Sequence, residues 1–152
     1  MLDMIAKIDI ISTCNRLLDD RATRLQQAID DTREAALGET KSSAGDKYET
    51  GREMMLAEIE RLGQQVDEVA RLREGLFAVE GAMPGTEVTL GSLVKTNRAT
   101  YFLAVGLGKV TVSGVEVFVL STASPIGQLL LGKTVGEQIL FKGEEQTVLS
   151  VT

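Results

Sequence analysis

The side chains able to carry chemistry in this sequence are mainly carboxylates, because histidine is absent and cysteine occurs once, at Cys14. Zinc sites built from cysteine and histidine are therefore excluded. Nucleophilic catalysis by Ser-His-Asp or Cys-His groups is excluded as well, since the base is missing. Cys14 falls in a helical pattern, where a lone cysteine acts as a small apolar contact. We expect the chain to act by contacting a larger partner rather than as a self-contained enzyme.

Two acidic residues, Glu39 and Asp46, lie within a short polar stretch at 37–46. Glu39 comes at the C-terminal end of a predicted helix, where the helix dipole disfavours negative charge by about 0.3 to 1 kcal/mol. A residue placed against local preference is a pointer to function. Asp46 stands three residues before Glu49, the spacing of a capping box in which the aspartate accepts N–H bonds at a helix start. Structural and functional roles stay open for both acids.

Two helical arms are predicted to position these acids. In each arm, mostly apolar residues recur at alternating spacings of four and three, the heptad pattern of a coiled coil. The first arm has Met4, Ile8, Ile11, Asn15, Leu18, Ala22, Leu25, Ile29, Thr32 and Ala36, and the second has Tyr48, Arg52, Met55, Ile59, Leu62, Val66, Val69, Arg73 and Leu76. The connection at 37–46, with Gly38 as a C-cap, is short enough to force an antiparallel hairpin. At about 1.5 Å per residue, an arm of roughly 30 residues places the tip about 45 Å from the base.

The second half of the sequence contains both prolines and most of the glycines, which predicts a domain boundary at 78/79. β-Branched and aromatic runs with partial alternation predict strands. These runs are 88–94, 100–107, 110–120 and 146–151. Ser124 as an N-cap, Pro125 at the first helical position and Gly132 as a stop predict a helix of about two turns. The predicted fold class is α+β with two domains, a hairpin at 1–78 (tip at about 38–47) and an antiparallel sheet with one short helix at 79–152.

The formal net charge of −6 opposes autonomous binding to DNA or RNA, whose phosphates require a basic surface. A basic protein surface is one expected partner, although a modest negative charge also simply keeps a small protein in solution. The sequence has no apolar run of membrane-spanning length and no signal-peptide pattern. We therefore expect a cytoplasmic location and no membrane partner.

The C-terminal half carries a pattern that resembles the Gre family of bacterial transcription elongation factors. The pattern consists of Ser124-Pro125-Ile126, Leu130, Gly132-Lys133 and Gly136-Glu137, with the family's spacing. In the arms, Ala28-Ile29, Arg33-Glu34, Tyr48 and Arg52-Glu53 are similar to the family's residues on either side of its tip. The resemblance covers nearly the whole chain, in the same domain order.

The resemblance implies a specific role in transcription. Members of the family insert the coiled coil into the secondary channel of RNA polymerase, while the C-terminal domain, of the FK506-binding-protein-like (FKBP-like) fold, holds the channel rim. Acidic residues at the tip help the polymerase bind its second Mg²⁺ ion, so that backtracked RNA is hydrolysed. Glu39 and Asp46 are accordingly the catalytic and metal-binding candidates. The polymerase remains the catalyst, the chain binds no cofactor alone, and its contact with nascent RNA is indirect.

The tip departs from the family pattern, which has an Asp and a Glu three residues apart in an Asp-Leu-Lys-Glu-Asn run followed by Ala-Glu-Tyr. Only Glu39 and Lys41 keep their places, and the second acid's position is Ser42 or Ser43. The segment between Arg33 and Tyr48 is also a few residues longer. The partner-binding candidates are Lys41, Ser42, Ser43, Tyr48, Arg52, Ser124, Pro125, Ile126, Gly132 and Lys133.

Each candidate also has a structural explanation. Lys41, Ser42 and Ser43 could contact RNA phosphate or polymerase loops, or could simply fill a loop. Tyr48 and Arg52 could pack in the seam. Three functions stay open: a factor that promotes RNA cleavage, a non-cleaving regulator that occupies the same channel, and a coiled-coil adaptor unrelated to transcription.

Overall fold

The computed structural model describes residues 5–42 and 46–152, and the side chains of all of these except 39–42 and 46–48. Two long helices come first, α1 (Lys7–Ser42) and α2 (Asp46–Val79). The remaining elements are β1 (Leu93–Thr96), β2 (Thr100–Leu103), β3 (Gly108–Val112), β4 (Val115–Leu120), α3 (Pro125–Leu130), β5 (Gln138–Phe141) and β6 (Glu144–Val151). The predicted α+β class, with a helical hairpin followed by a sheet and one short helix, is confirmed.

The chain divides into two compact units. One contains the described residues up to Arg16 together with Leu72–Thr152, and the other is Leu17–Arg71. The bases of α1 and α2 therefore belong to the unit that contains the sheet, and the rest of the two helices forms a hairpin unit. The domain bounds predicted from composition, 1–78 and 79–152, mark the change of secondary structure and stay a prediction.

The hairpin unit has a narrow apolar seam. Its buried residues are Leu18, Leu25 and Ile29 of α1 and Leu62 and Val69 of α2, all at predicted heptad positions. Burying a leucine or valine side chain contributes about 1.5–3 kcal/mol. The seam therefore supplies the packing energy that holds two long helices together in water.

The bases of the helices deviate from the heptad pattern. Ile8, a predicted seam residue, is 74% exposed, and the predicted seam residue Arg73 is exposed too. The buried side chains here include Ile10, Cys14 and Leu72. These residues broaden the apolar stripe, as expected for helices that bury more than a two-helix seam.

The helix ends near the apex differ from the prediction. Gly38 was predicted to end the first arm, but α1 continues through Ser42 and α2 begins at Asp46. A glycine inside a helix costs only about 1 kcal/mol relative to alanine. The glutamate and lysine that follow Gly38 are good helix formers and offset part of that cost. The connection between the helices is therefore 43–45, not 37–46.

The sheet is mixed rather than antiparallel, which corrects the prediction. Its strand order is β3-β4-β2-β1-β6-β5, and β2 pairs with β4 in parallel. The 110–120 run forms the end of β3 and all of β4, joined by a tight turn with positive φ at Ser113 and Gly114. β4 lies between β3 and β2, and it runs antiparallel to β3 and parallel to β2.

The start and the end of the sheet domain also differ from the predicted strands. Most of the 88–94 run lies outside β1, and Val88 instead bonds to the chain after α3: its N–H donates to the Lys133 carbonyl (2.9 Å). The prediction missed β5, which is only four residues long.

An apolar core joins residues of the sheet to α3. The core residues are Val88, Val94, Tyr101, Leu103, Ile126, Leu130, Ile139 and Val148. Two of them, Ile126 and Leu130, are four residues apart on α3 and therefore share one helix face. Among the helices that the structure describes, none is long and apolar enough to cross a membrane.

Candidate functional site

The two acids singled out from the sequence lie next to the connection between the helices. Glu39 is in the last turn of α1, and Asp46 is the first residue of α2. Their side chains lie outside the described residues, and so do those of Lys41, Ser42 and Tyr48 and the whole of Ser43. The predicted catalytic, metal-binding, capping and partner-binding roles of these residues stay predictions.

An open groove of about 540 Å³ lies on the hairpin unit, toward its apex. Its lining consists of Arg33, Ala36 and Leu37 from α1 and Arg52, Leu56 and Ile59 from α2. Four of these side chains are aliphatic and two are cationic. The groove therefore combines an apolar floor with positive charge on a rod that is otherwise rich in acids.

Arg52 is the predicted partner-binding residue that the structure places in this groove. Its side chain is exposed, so it does not fill the seam as the heptad position suggested. Arg33, four residues before Leu37, was not singled out as a site residue. The signal that could have revealed it is the repeat of that spacing on the second helix, where Arg52 stands four residues before Leu56.

The Ser-Pro segment has a structural function in the fold. Ser124 is the N-cap of α3: its hydroxyl oxygen accepts the Gly127 N–H (3.1 Å), and the hydroxyl donates to the Ser121 carbonyl (2.6 Å). Pro125 occupies the first helical position, where its missing N–H leaves no bond unmade. Ile126 is buried in the sheet core and has little surface to offer a partner. Of the first three motif residues, Ser124 and Pro125 shape the helix entry.

The end of the motif turns the chain back toward the sheet. Gly132 has φ +80°, a conformation that favours glycine, and its N–H donates to the Val88 carbonyl (2.8 Å). The Lys133 ammonium lies 4.0 Å from a Glu137 carboxylate oxygen, with the lysine side chain 35% exposed. Lys133 and Glu137 are therefore motif residues that keep charged groups at the surface.

The described side chains offer no evident metal centre of their own. Among the residues that the structure describes, no group of three or more His, Cys, Asp or Glu residues is placed to hold a metal ion. Cys14 is fully buried, and burial raises the pKa of its thiol to about 11. A thiol with that pKa is protonated at neutral pH and is a poor nucleophile and metal ligand.

Comparison with known proteins adds no relative: no protein-family model matches the chain, and no curated protein sequence matches it. Three features of the chain itself therefore define the candidate site. These are the acids beside the 43–45 connection, the groove on the hairpin, and the α3 motif.

Proposed function

We propose that this chain is a Gre-like accessory factor of bacterial RNA polymerase, located in the cytoplasm, which promotes hydrolysis of backtracked RNA. In this proposal the hairpin enters the secondary channel, the sheet domain binds the channel rim, and Glu39 and Asp46 act at the polymerase's magnesium site. The observation that carries the proposal is that two helices of 36 and 34 residues leave only 43–45 between them, with one candidate acid on either side.

The length of the hairpin unit suits an element that works inside a channel. From Leu17 to Ser42, α1 contributes about 26 residues, which corresponds to about 39 Å at 1.5 Å per residue. A pair of helices is much thinner than a globular domain of the same mass. Such a pair can carry a few side chains to a catalytic centre that a globular domain could not reach.

The proposed chemistry needs few residues from this chain. Mg²⁺ takes oxygen ligands and is typically held by one or two carboxylates, which Glu39 and Asp46 would provide. In phosphodiester hydrolysis with two metal ions, the ions stabilise the attacking and leaving oxygens. The polymerase supplies the remaining groups, so the factor stimulates a reaction that it does not catalyse alone.

A second candidate function is a regulator that occupies the channel without promoting cleavage. The residues at the tip favour it, because Ser42 or Ser43 stands where the Gre family has its second acid. A serine hydroxyl is neutral and cannot replace the charge of a carboxylate at a metal. Such a regulator would bind the polymerase without promoting hydrolysis of backtracked RNA.

The decisive experiment adds the purified full-length chain to stalled, backtracked elongation complexes with labelled RNA and Mg²⁺. Glu39→Gln and Asp46→Asn keep the side-chain shapes and remove the charges. Glu60→Gln and Asp67→Asn are matched controls, because both are exposed acids on α2 far from the connection. We expect the first pair to lower the cleavage rate by at least about tenfold, the scale of losing a group that orients a metal site, and the controls to have no effect.

The other outcomes separate the candidates. Cleavage that persists in the Glu39→Gln/Asp46→Asn variant would refute the assignment of these acids. Polymerase binding without cleavage would favour the regulator. A pull-down in which the chain retains no polymerase would rule out both roles and leave the adaptor.

A further inference from the structure

The groove on the hairpin unit is a binding surface with its own chemistry. We propose that it binds an acidic amphipathic α-helix of a partner protein, with the apolar face of that helix on the groove floor and its glutamates or aspartates on Arg33 and Arg52. The inference does not depend on the polymerase role, because any protein that presents such a helix would fit.

The groove floor includes apolar side chains that the hairpin leaves exposed. Leu37 is 65% exposed and Leu56 is 51% exposed, and both line the groove beside the half-buried Ala36 and Ile59. Aliphatic surface exposed between two packed helices is what a third helix covers in a bundle, where helix axes lie about 8–10 Å apart. Helix-in-groove recognition uses anchors three or four residues apart.

Two arginines give the groove its positive charge. Both charged side chains in the lining are cationic, Arg33 on α1 and Arg52 on α2, although acidic residues outnumber basic ones in the hairpin. Each arginine precedes a groove leucine by four residues on its own helix, and the helices are antiparallel. Each helix therefore contributes one cation to the groove.

Arginine is well suited to carboxylates on a crossing helix. The guanidinium presents five N–H donors in a planar fork and can bind two acceptor groups at once. Arg52 also interacts with another residue of the chain, and this second role is compatible with that donor number. A helix with acids on both flanks of its apolar face would meet positive charge on both sides of the groove.

Other occupants fit these observations less well. Single-stranded nucleic acid binds by stacking bases on aromatic side chains, and the described side chains that line the groove include no aromatic one. A second copy related by a two-fold axis would bring the same patch onto itself, so that the two arginines of each copy would share one contact. The combination of aliphatic floor and two cations favours the acidic helix.

The test uses two synthetic peptides of about 18 residues, or five helical turns, labelled with fluorescein. The first has leucines spaced three and four apart with glutamates on the flanks, and in the second lysine replaces every glutamate. Binding to the full-length chain is measured by fluorescence anisotropy. We expect the acidic peptide to bind at least about tenfold more tightly than the lysine peptide, since close like charges at such an interface are repulsive.

Two groove variants test the contribution of the charges and that of the apolar side chains separately. Arg33→Glu/Arg52→Glu reverses the charges, and Leu37→Gln/Leu56→Gln removes the apolar anchors. We expect each double variant to weaken the binding of the acidic peptide by about tenfold. Every substituted side chain is exposed, so the far-UV circular dichroism should not change.

The matched control is Arg24→Glu/Arg61→Glu. It changes the net charge by the same amount on exposed positions outside the groove lining. We expect it to leave the affinity within about twofold.

Several results would overturn the proposal. Equal affinity for the two peptides, no binding of the acidic peptide, or equal losses in the groove and control variants would each exclude a specific acidic-helix site. Dimerisation of the chain that disappears in the leucine variant would show that a second copy is the occupant. Because the assay contains no polymerase, its failure is distinct from failure of the cleavage assay.

Discussion

The substitution Gly91→Ala should destabilise the unit that contains the sheet more than any other glycine-to-alanine change tested beside it. Gly91 has φ +91°, and a Cβ built on it would overlap the Ala82 Cβ and approach the Val79 Cβ at 3.6 Å. Its N–H donates to the Leu103 carbonyl (2.7 Å), which fixes the backbone in place. Gly91 therefore lies where the end of α2 meets the start of the sheet, within a single compact unit.

The magnitude follows from two separate penalties. A residue with a Cβ costs about 1–2 kcal/mol in a left-handed conformation. The overlap adds about 1–3 kcal/mol, the scale of overpacking, because the Ala82 methyl has no rotamer into which it can move. The free energy of unfolding should therefore fall by about 2–5 kcal/mol, a large part of a typical stability of 5–15 kcal/mol.

Two other glycines separate these penalties. Gly108 has φ +84° and nothing within 4 Å of a built Cβ, so Gly108→Ala reports the backbone penalty alone. Gly106 has neither a positive φ nor a neighbour within that distance. Gly106→Ala should therefore be neutral, or stabilise by about 0.4–1 kcal/mol through the unfolded state.

The assay is urea unfolding followed by circular dichroism, combined with amide exchange of β1 and β2, because a chain with two compact units need not unfold in one step. A loss for Gly91→Ala no larger than for Gly108→Ala would refute the overlap with Ala82. The double variant Gly91→Ala/Ala82→Gly, compared with the two single variants, completes a double-mutant cycle. Removing the Ala82 methyl should restore the part of the stability that the overlap costs. No such recovery would show that the cost lies in the backbone conformation.

Two further perturbations test the helix cap and the buried thiol. Ser124→Ala removes the acceptor for the Gly127 N–H, so urea unfolding should show a loss of about 0.5–2 kcal/mol, whereas Ser124→Thr keeps the hydroxyl and should lose less; equal losses would contradict the cap. Burial raises the pKa of Cys14 from 9.0 to about 11, so the folded state keeps a proton that the unfolded state releases. The resulting stabilisation is complete below pH 9 and is lost as the pH rises toward 11. Cys14→Ala should therefore show a shallower decline of unfolding free energy across this window, and identical slopes would show that Cys14 does not contribute.

The sequence predicted elements whose determinants are local. Heptad spacing identified both long helices, because 3.6-residue periodicity depends only on which side of a helix is buried. The Ser-Pro start of α3 was also predictable, since the cap at Ser124 closes a bond to a residue three positions away. These features need no knowledge of the rest of the chain.

Features that depend on distant partners were not predictable. An alternating run such as 110–120 does not say which way its strand runs, so the parallel pairing of β2 with β4 was missed. Likewise, the buried residues at the helix bases depend on what else packs there. Ile10 and Leu72 were overlooked for that reason, whereas Cys14 was expected to be a small apolar contact. Gly38 was interpreted as a helix stop because glycine is common in that position, but it is tolerated in the interior of α1.

The features of the candidate site also divide into those with local signals in the sequence and those that depend on distant partners. Arg52 was named from a local motif, but its pairing with Arg33 across the groove emerges only once the two helices are docked antiparallel. The separation of the Glu39 and Asp46 carboxylates depends on the 43–45 connection and on side chains beyond those described. Sequence placed these acids near the apex, and the helix bounds support that placement.

The packing along the hairpin gives a physical reason for partner binding near its apex. Leu25, Ile29 and Leu62 are buried, whereas nearer the connection Ala36 and Met55 are only half-buried. Fewer buried apolar contacts mean a lower local opening free energy at that end. A partner helix that covers the groove would add apolar burial beside these half-buried positions, so its binding would raise the opening free energy of this part of the hairpin.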